Sequence, residues 1–380
     1  MLSAGPPRSA RDLRLDLFRG LALIFIFLNH IPGNVVSWIS NRNYGFSDAT
    51  EIFVFISGYS VVLAYGGIMA RRGFLVATAR IWGRVWQVYT AHVFLFVVFM
   101  AQIAYVSERF NPAFAEEMNI TEIFEAPHTL MFQMLMLKYK PANMDVLPLY
   151  IVLLAAFPVV MAALQRWPHG VLGLSFLVWL GVQRWHWNVP AYPDGVWLFN
   201  PIAWQFLFVL GGWCAIMRRE GPWRRLPVGP TAAFALAYLL LALAIVATWH
   251  YPPWSIYVPD WLLQVLYPID KTELDSLRLV HFLAQAYLVT VLVRPDAPFL
   301  KWKIVSPLML CGRKSLQVFC AGIFLAFLGQ FMIAEIDPGL AMQVAVSLTG
   351  SGLLVGLAAF LTWYDRAHVD ATAAPAPPGR

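Results

Sequence analysis

Residues 17–30 read L17-F-R-G-L-A-L-I-F-I-F-L-N-H30, an apolar segment interrupted by two ionisable side chains, Arg19 and His30. In an α-helix, eleven residues turn by roughly 1100°, about 20° more than three full turns. Both side chains therefore leave one face of the predicted helix, roughly 16 Å apart along its axis. Ionisable groups inside a bilayer are costly and mark a pathway or a reaction centre. The segment predicts a membrane helix with a cation near one surface and a titratable base near the other.

Apolar segments of this length recur along all 380 residues. The chain is 59% hydrophobic and 13% charged, about half the ~25% of charged residues in soluble proteins. A helix needs about 20 apolar residues to cross the hydrocarbon core. The sequence therefore predicts an all-α polytopic membrane protein with about ten transmembrane helices. The expected spans are residues 15–31, 49–69, 84–106, 146–165, 171–188, 201–217, 231–249, 279–294, 305–333 and 340–363.

The basic residues fall in alternate loops rather than on one soluble face, so the net charge of +6 does not indicate nucleic-acid binding. Arginines precede the first expected span and follow the second, fourth and sixth, whereas residues 107–145 hold five glutamates. By the positive-inside rule, both termini are predicted to be cytoplasmic. We expect a cytoplasmic segment at residues 1–14, a membrane domain at 15–365 and a disordered, Ala/Pro-rich cytoplasmic tail at 366–380.

Other chemistries lack support in the sequence. The three cysteines, Cys214, Cys311 and Cys320, lie in expected spans without metal-ligand spacing, so we predict buried thiols and no metal site. No Walker loop, H-E-x-x-H or C-x-x-C motif occurs. The basic N-terminus resembles a signal peptide, but no small-residue cleavage site follows, so we expect a retained first span.

A second polar group of residues opens the second expected span, S47-D-A-T-E-I-F-V-F-I-S-G-Y59. Asp48 and Glu51 share a helix face, and Gly58 continues that face with a position that lets another backbone approach closely. A short loop joins this end to His30, so a carboxylate is expected to fix the tautomer of His30 and raise its basicity. The alternative is that Asp48 caps the helix while Glu51 favours its dipole.

Arg278, His281 and Gln285 form one stripe at the start of the eighth expected span, since they are spaced i, i+3 and i+7. An arginine is the usual partner of a carboxylate, so the stripe is a candidate for binding an acceptor hydroxyl or an acyl carboxylate. Interhelical hydrogen bonding is the alternative.

The segment C311-G-R-K-S-L-Q317 opens the ninth expected span with two cations. They are either positive-inside anchors or part of a site that receives a polyphosphate. The expected phosphate-binding residues are Arg19, Arg80, Arg84, Arg313 and Lys314.

Tryptophan and tyrosine crowd the expected external segments between Trp185 and Tyr267, and Trp197 is one of them. Interfacial belts of Trp and Tyr explain most of these residues. Flat platforms for sugar rings are the alternative for a few of them.

Six segments, in order, resemble the OpgC family of the acyltransferase type 3 superfamily, and the spacing of Arg19 and His30 looks like the R-x10-H motif of that superfamily. The resemblance runs from about residue 12 to about residue 365. Lys314 and Gln317 depart from the family pattern, in which His and Glu are expected. The segments are L15-D-L-F-R-G20, residues 47–59, M144-D-V-L-P-L-Y150, N200-P-I-A-W-Q205, L279-V-H-F-L-A284 and G312-R-K-S-L-Q-V-F319.

OpgC proteins are succinyltransferases of osmoregulated periplasmic glucans. The resemblance implies the bacterial inner membrane as location, succinyl-CoA as donor and a periplasmic glucan as acceptor. The implied partners are acyl-CoA, the glucan and membrane lipids, with no permanently bound cofactor and no nucleic acid; the oligomeric state stays open. Arg19 and His30 match the motif pair. Placement in family-like segments suggests substrate contacts at Asp145, Asn200, Trp204, Gln205, Arg278 and His281.

The expected function is transmembrane O-acyl transfer, with His30 as general base, oriented by Glu51 or Asp48. The same chemistry with another acyl group, such as acetyl, or with another glycan is one alternative. A transporter or flippase of a charged glycoconjugate is another. Transporters often contain inverted repeats, and no repeat is visible in this chain.

Overall fold

The computed structural model of the protein describes residues 12–218 and 220–373, and these are helical, with no β-strand among them. Two 3-10 turns, Val35–Ile39 with five residues and Asn41–Asn43 with three, lie between the first two helices. The helices are α1 (Leu13–Asn29), α2 (Ala49–Arg72), α3 (Phe74–Arg109), α4 (Ala113–Glu117), α5 (Glu122–Glu125), α6 (Pro127–Leu135), α7 (Val146–Arg166), α8 (Pro168–Trp185), α9 (Pro201–Ile216), α10 (Val228–His250), α11 (Asp260–Leu266), α12 (Ser276–Leu292), α13 (Ser306–Arg313), α14 (Ser315–Phe331) and α15 (Leu340–Ala373).

Six of the described helices are long and apolar enough to cross a membrane, namely α2, α3, α7, α10, α14 with its following π turn, and α15. The apolar helices α9 and α12 are shorter. The prediction of an all-α, multi-pass membrane protein is confirmed. The count of about ten spans and the cytoplasmic termini stay predictions.

The expected span at 305–333 is two helices, because the chain bends at Lys314 (φ −105°, ψ 35°) between α13 and α14. The backbone of α13 lies directly against α1. A Cβ added to Gly312 would lie 1.9 Å from the carbonyl oxygen of Asp16, and one added to Gly20 would lie 1.8 Å from that of Leu308. At the other end, α15 continues to Ala373, past the predicted boundary at 366, and residues 1–11 and 374–380 lie outside the described residues.

Helices α2 and α9 also touch through glycine. A Cβ at Gly58 would lie 1.9 Å from the carbonyl oxygen of Phe208, and one at Gly211 would lie 2.2 Å from that of Phe55. The predicted role of Gly58 as a point of close backbone approach is confirmed. Since no larger side chain fits at either position without a backbone shift, this contact sets the position of α2 against α9.

Residues 120–139 contain two short helices, α5 and α6. Leu130 and Met134 are buried against the bundle, whereas Met131, Phe132 and Leu135 are exposed. An outward apolar face on a short helix is typical of a segment at the membrane interface.

The loop between α1 and α2 is held at both ends, which brings those two helix ends together. The Ser40 hydroxyl donates to Asn29 Oδ1 at 2.7 Å, and Asn41 Nδ2 donates to the carbonyl of Ser47 at 3.4 Å. His30 and Asp48 follow Asn29 and Ser47 directly, so the loop geometry places the end of α1 beside the start of α2.

Candidate active site

His30 ends α1 and is half-buried, with its backbone N–H bonded to the carbonyl of Ile26 at 3.1 Å. Neither ring nitrogen makes a hydrogen bond within the described residues, and Nδ1 is fully enclosed. Asp48, Lys271 and Arg42 are its electrostatic neighbours. An imidazole without a hydrogen-bond partner, next to a carboxylate, can take a proton from a bound ligand.

Asp48 and Glu51 form a capping box at the start of α2. The N–H of Thr50 donates to Asp48 Oδ1 at 2.8 Å, and the N–H of Asp48 donates to Glu51 Oε2 at 2.9 Å. The helix-capping alternative for Asp48 is therefore confirmed. Burial raises the pKa of Asp48, but Lys271 and Arg278 outweigh it and hold that pKa well below its usual range. Asp48 thus carries a fixed negative charge beside His30.

Glu51 is completely buried and bonded to Arg278 of α12. Its Oε1 accepts from Arg278 Nε at 2.9 Å, and its Oε2 accepts the backbone N–H described above. Neither oxygen bonds the His30 ring, so Glu51, one of the two carboxylates predicted to orient that ring, makes no hydrogen bond to it in this structure. Asp48 acts on His30 through its charge, not through a hydrogen bond.

His281, almost one turn beyond Arg278, holds the residues just before Asp48. Its Nδ1 accepts from the backbone N–H of Ser47 at 3.3 Å and lies 2.7 Å from the Ser47 hydroxyl. A Cβ at Gly45 would lie 1.9 Å from its Nε2. Arg278 thus makes the interhelical contact given above as the alternative, and His281 bonds the residue just before Asp48. Substrate contacts of these two side chains stay a prediction.

Lys271 is a site residue that the sequence reasoning missed. Its Nζ donates to Asp48 Oδ2 at 2.5 Å, and its side chain is 35% exposed. Trp204 Nε1 lies 3.2 Å from the carbonyl oxygens of both Lys271 and Thr272 and so holds this loop in place. The signal that points to Lys271 is a lysine four residues after Tyr267, at the end of the expected external segments and away from the arginine-rich loops.

Asn200, Trp204 and Gln205 were predicted to contact substrate, and the structure gives each of them partners inside the protein. Asn200 is fully buried and donates from its backbone N–H to the carbonyl of Thr272 at 3.2 Å. Gln205 exchanges two hydrogen bonds with Ser175 of α8, at 2.6 and 2.9 Å. Asn200 and Trp204 therefore position the Lys271 loop, and Gln205 joins α9 to α8.

Asp145 differs from the other predicted substrate residues because its carboxylate accepts no hydrogen bond from another described residue. It lies directly before α7 and is half-buried. Burial raises the pKa of Asp145 to about 6, opposed by the charges of Lys140 and Lys271. Lys271 thus neighbours Asp145 as well as His30, which puts Asp145 on the His30 side of the bundle.

Arg19 lies in a cavity of about 160 Å³ that a second arginine, Arg84, also lines. Arg19 Nη2 donates to the carbonyl of Ile56 at 3.2 Å and to the Ser60 hydroxyl. Along α2 the cavity extends from Phe53 to Tyr65, roughly 18 Å of helix. The remaining lining residues are Ser57, Ser60, Val61, Ala64, Leu147, Tyr150, Ser315, Leu316 and Phe319.

The cavity ends toward the acidic segment at Phe53, two residues beyond Glu51. There Phe53 stacks on Phe319, with ring centroids 6.2 Å apart, and meets Tyr150 edge-on at 6.5 Å. His30 is not among the lining residues. These three aromatic rings line the end of the cavity nearer the acidic segment, and the cavity does not reach the imidazole.

The other predicted phosphate-binding cations lie outside this cavity. Arg80 is exposed to the surroundings. Arg313 Nε lies 3.1 Å from Asp16 Oδ2, and Lys314 pairs with Asp365. The structure thus brings Arg19 and Arg84 together, whereas Arg313 and Lys314 are paired with carboxylates.

The chain matches the family model described as OpgC protein over residues 11–366. No curated protein and no solved structure matches the chain. The matched range contains His30, the acidic start of α2, the Lys271 loop and the arginine-lined cavity. The chain therefore belongs to the OpgC family, and this membership indicates a membrane acyltransferase that acts in glucan modification.

Proposed function

We propose that the protein transfers a succinyl group from cytoplasmic succinyl-CoA to a hydroxyl of a periplasmic glucan. One observation carries the proposal beyond family membership. A cavity lined by Arg19 and Arg84 runs along α2, and an imidazole without hydrogen-bond partners lies beside an ionised carboxylate at the start of the same helix.

The donor belongs in the cavity because its chemistry matches the lining. Arg19 and Arg84 bind the phosphates of coenzyme A through charge-assisted hydrogen bonds. The pantetheine arm follows the face of α2 from Tyr65 to Phe53, where serine hydroxyls and apolar side chains alternate. To reach His30, the thioester passes the Phe53 and Phe319 rings, so a shift of Phe53 precedes transfer.

At the other end, His30 removes the proton from a glucan hydroxyl as that oxygen attacks the thioester carbonyl. Collapse of the tetrahedral intermediate breaks the carbon–sulfur bond, and the imidazolium returns the proton to the leaving thiolate. The negative charge of Asp48 stabilises the imidazolium. A two-step route through an acyl group on His30 uses the same residues.

The test replaces His30 by Ala in the full chain, reconstituted in vesicles with succinyl-CoA outside and unmodified glucan inside. General base catalysis contributes about 100- to 10,000-fold, so succinylated glucan falls by at least about 100-fold. His186→Ala, at an exposed side chain, is the matched control. Succinylation by His30→Ala at the wild-type rate contradicts the proposal, as does glucan movement without release of coenzyme A.

A further inference from the structure

Three polar groups with unfilled hydrogen-bond capacity meet on the His30 side of the bundle. Lys140 Nζ lies over the Trp197 ring, 3.9 Å from its centroid, and has no carboxylate within 4 Å among the described residues. The Trp197 side chain is buried, 4% exposed, and its Nε1–H has no partner there. Asp145, whose carboxylate accepts no hydrogen bond from another described residue, is an electrostatic neighbour of Lys140.

The surrounding backbone holds these groups together. Trp197 closes a short turn in which its N–H donates to the carbonyl of Val189 at 2.9 Å. The same turn is bonded to the segment that precedes Lys140, because the N–H of Tyr192 donates to the carbonyl of Lys138 at 3.1 Å. The groups are thus presented by a built surface, and a buried N–H without a partner costs free energy until a ligand or water bonds it.

The ligand class follows from the donors and acceptors. Lys140 and Trp197 donate only, and the Asp145 carboxylate accepts only. A hydroxyl group does both, so vicinal hydroxyls of one sugar ring satisfy all three. The cation and the anion offset each other, which favours a neutral ligand, in contrast to the two arginines of the donor cavity.

We propose that Lys140, Asp145 and Trp197 bind a neutral glucosyl unit of the acceptor glucan. The inference rests on the proposed acyltransferase function and deepens it by naming the acceptor subsite. Lys271 is an electrostatic neighbour of both Asp145 and His30, so a chain of sugar units extends from this subsite toward the imidazole.

The test titrates unsuccinylated periplasmic glucan into the purified full-length protein without donor, and measures separate KM values for glucan and succinyl-CoA. Trp197→Phe keeps an aromatic ring and removes the indole N–H, and Lys140→Met keeps an unbranched apolar chain and removes the charge. Loss of one hydrogen bond costs about 3- to 10-fold in affinity, and loss of a charged one about 10- to 100-fold. We therefore expect both variants to bind glucan more weakly and to have a higher glucan KM than the wild type. Their KM for succinyl-CoA should stay within about twofold of the wild-type value, because the donor does not use these hydrogen bonds.

Trp167→Phe, at an exposed side chain at the opposite end of α8, is the matched control, and thermal unfolding checks that each variant is folded. Wild-type glucan affinity in Trp197→Phe and in Lys140→Met overturns the subsite. An equal loss of donor and glucan affinity also overturns it, since that is the result of a structural role. If the wild type binds glucan but transfers no succinyl group, the proposed acyltransferase function is wrong. The glucan titration of the variants still shows whether Lys140 and Trp197 bind glucan.

Discussion

Arg278 Nη2 lies 2.6 Å from Glu51 Oε1, and this ion pair joins helices α12 and α2 across 227 positions of sequence. Both side chains are buried, with exposed fractions of 10% and 0%. A buried charge is tolerated only where a partner compensates it. The pair therefore fixes the start of α2, and with it Asp48, against α12.

Replacing Glu51 by Ala leaves the Arg278 charge buried and uncompensated apart from Asp48. We expect a loss of about 3–5 kcal/mol in the free energy of unfolding. Arg278→Met alone is expected to be similarly destabilising, whereas the double variant loses less than the sum of the two. Chemical denaturation in detergent measures the three values, and strict additivity contradicts the importance of the pair.

Asp48→Asn separates helix capping from electrostatics at the start of α2. Asparagine caps a helix about as well as aspartate, so the unfolding temperature should change little. The charge that stabilises the His30 imidazolium is lost, however, and we expect the turnover number to fall by about tenfold, the effect of about 1.4 kcal/mol. An unchanged turnover number shows that Asp48 serves capping alone.

Arg19→Ala is expected to weaken donor binding, because Arg19 and Arg84 are the cations that line the cavity. Loss of a charge-assisted hydrogen bond raises the KM for succinyl-CoA by roughly 10- to 100-fold, with the glucan KM unchanged. Arg166→Ala, at the far end of α7, is the control for lost positive charge. If Arg19→Ala and Arg166→Ala have the same KM for succinyl-CoA, the phosphates of coenzyme A bind at another site.

Phe53→Leu should open the aromatic closure between the cavity and His30. Water then reaches the thioester more easily, so coenzyme A release without succinyl transfer is expected to rise. The measurement is the ratio of coenzyme A released to succinyl groups found on glucan, by mass spectrometry. If Phe53→Leu gives the same ratio as the wild type, Phe53 does not separate the arginine-lined cavity from the His30 site.

Glucan affinity should fall both at acidic and at basic pH. Burial raises the pKa of Asp145 to about 6 and lowers that of Lys140 to about 8. Asp145 faces the charges of Lys140 and Lys271, and Lys140 faces Asp145 and His92. Affinity is therefore highest between these values: below about 6 the Asp145 carboxylate is protonated and accepts less well, and above about 8 Lys140 loses its charge. Titrations from pH 5 to 9 should lose the acid limb in Asp145→Asn.

Much of the architecture follows from local sequence. The length of each apolar run predicts a membrane helix, because a helix satisfies its own backbone in lipid without reference to the rest of the chain. The same local logic predicts Asp48 and Glu51 close together at the start of α2, and the short loop predicts them near His30. The break at Lys314 was not predicted; it lies two residues beyond Gly312, whose backbone packs directly against α1.

The sequence by itself determined which segments are helical and which polar residues stand at their ends. Only the tertiary structure decided their partners: Glu51 bonds Arg278 instead of His30, Lys271 of a distant loop pairs with Asp48, and Asn200 and Trp204 support that loop. The partners of Glu51 and Asp48 lie 227 and 223 positions away. Helical periodicity carries no information over such separations, because helix packing alone brings those side chains within hydrogen-bond distance.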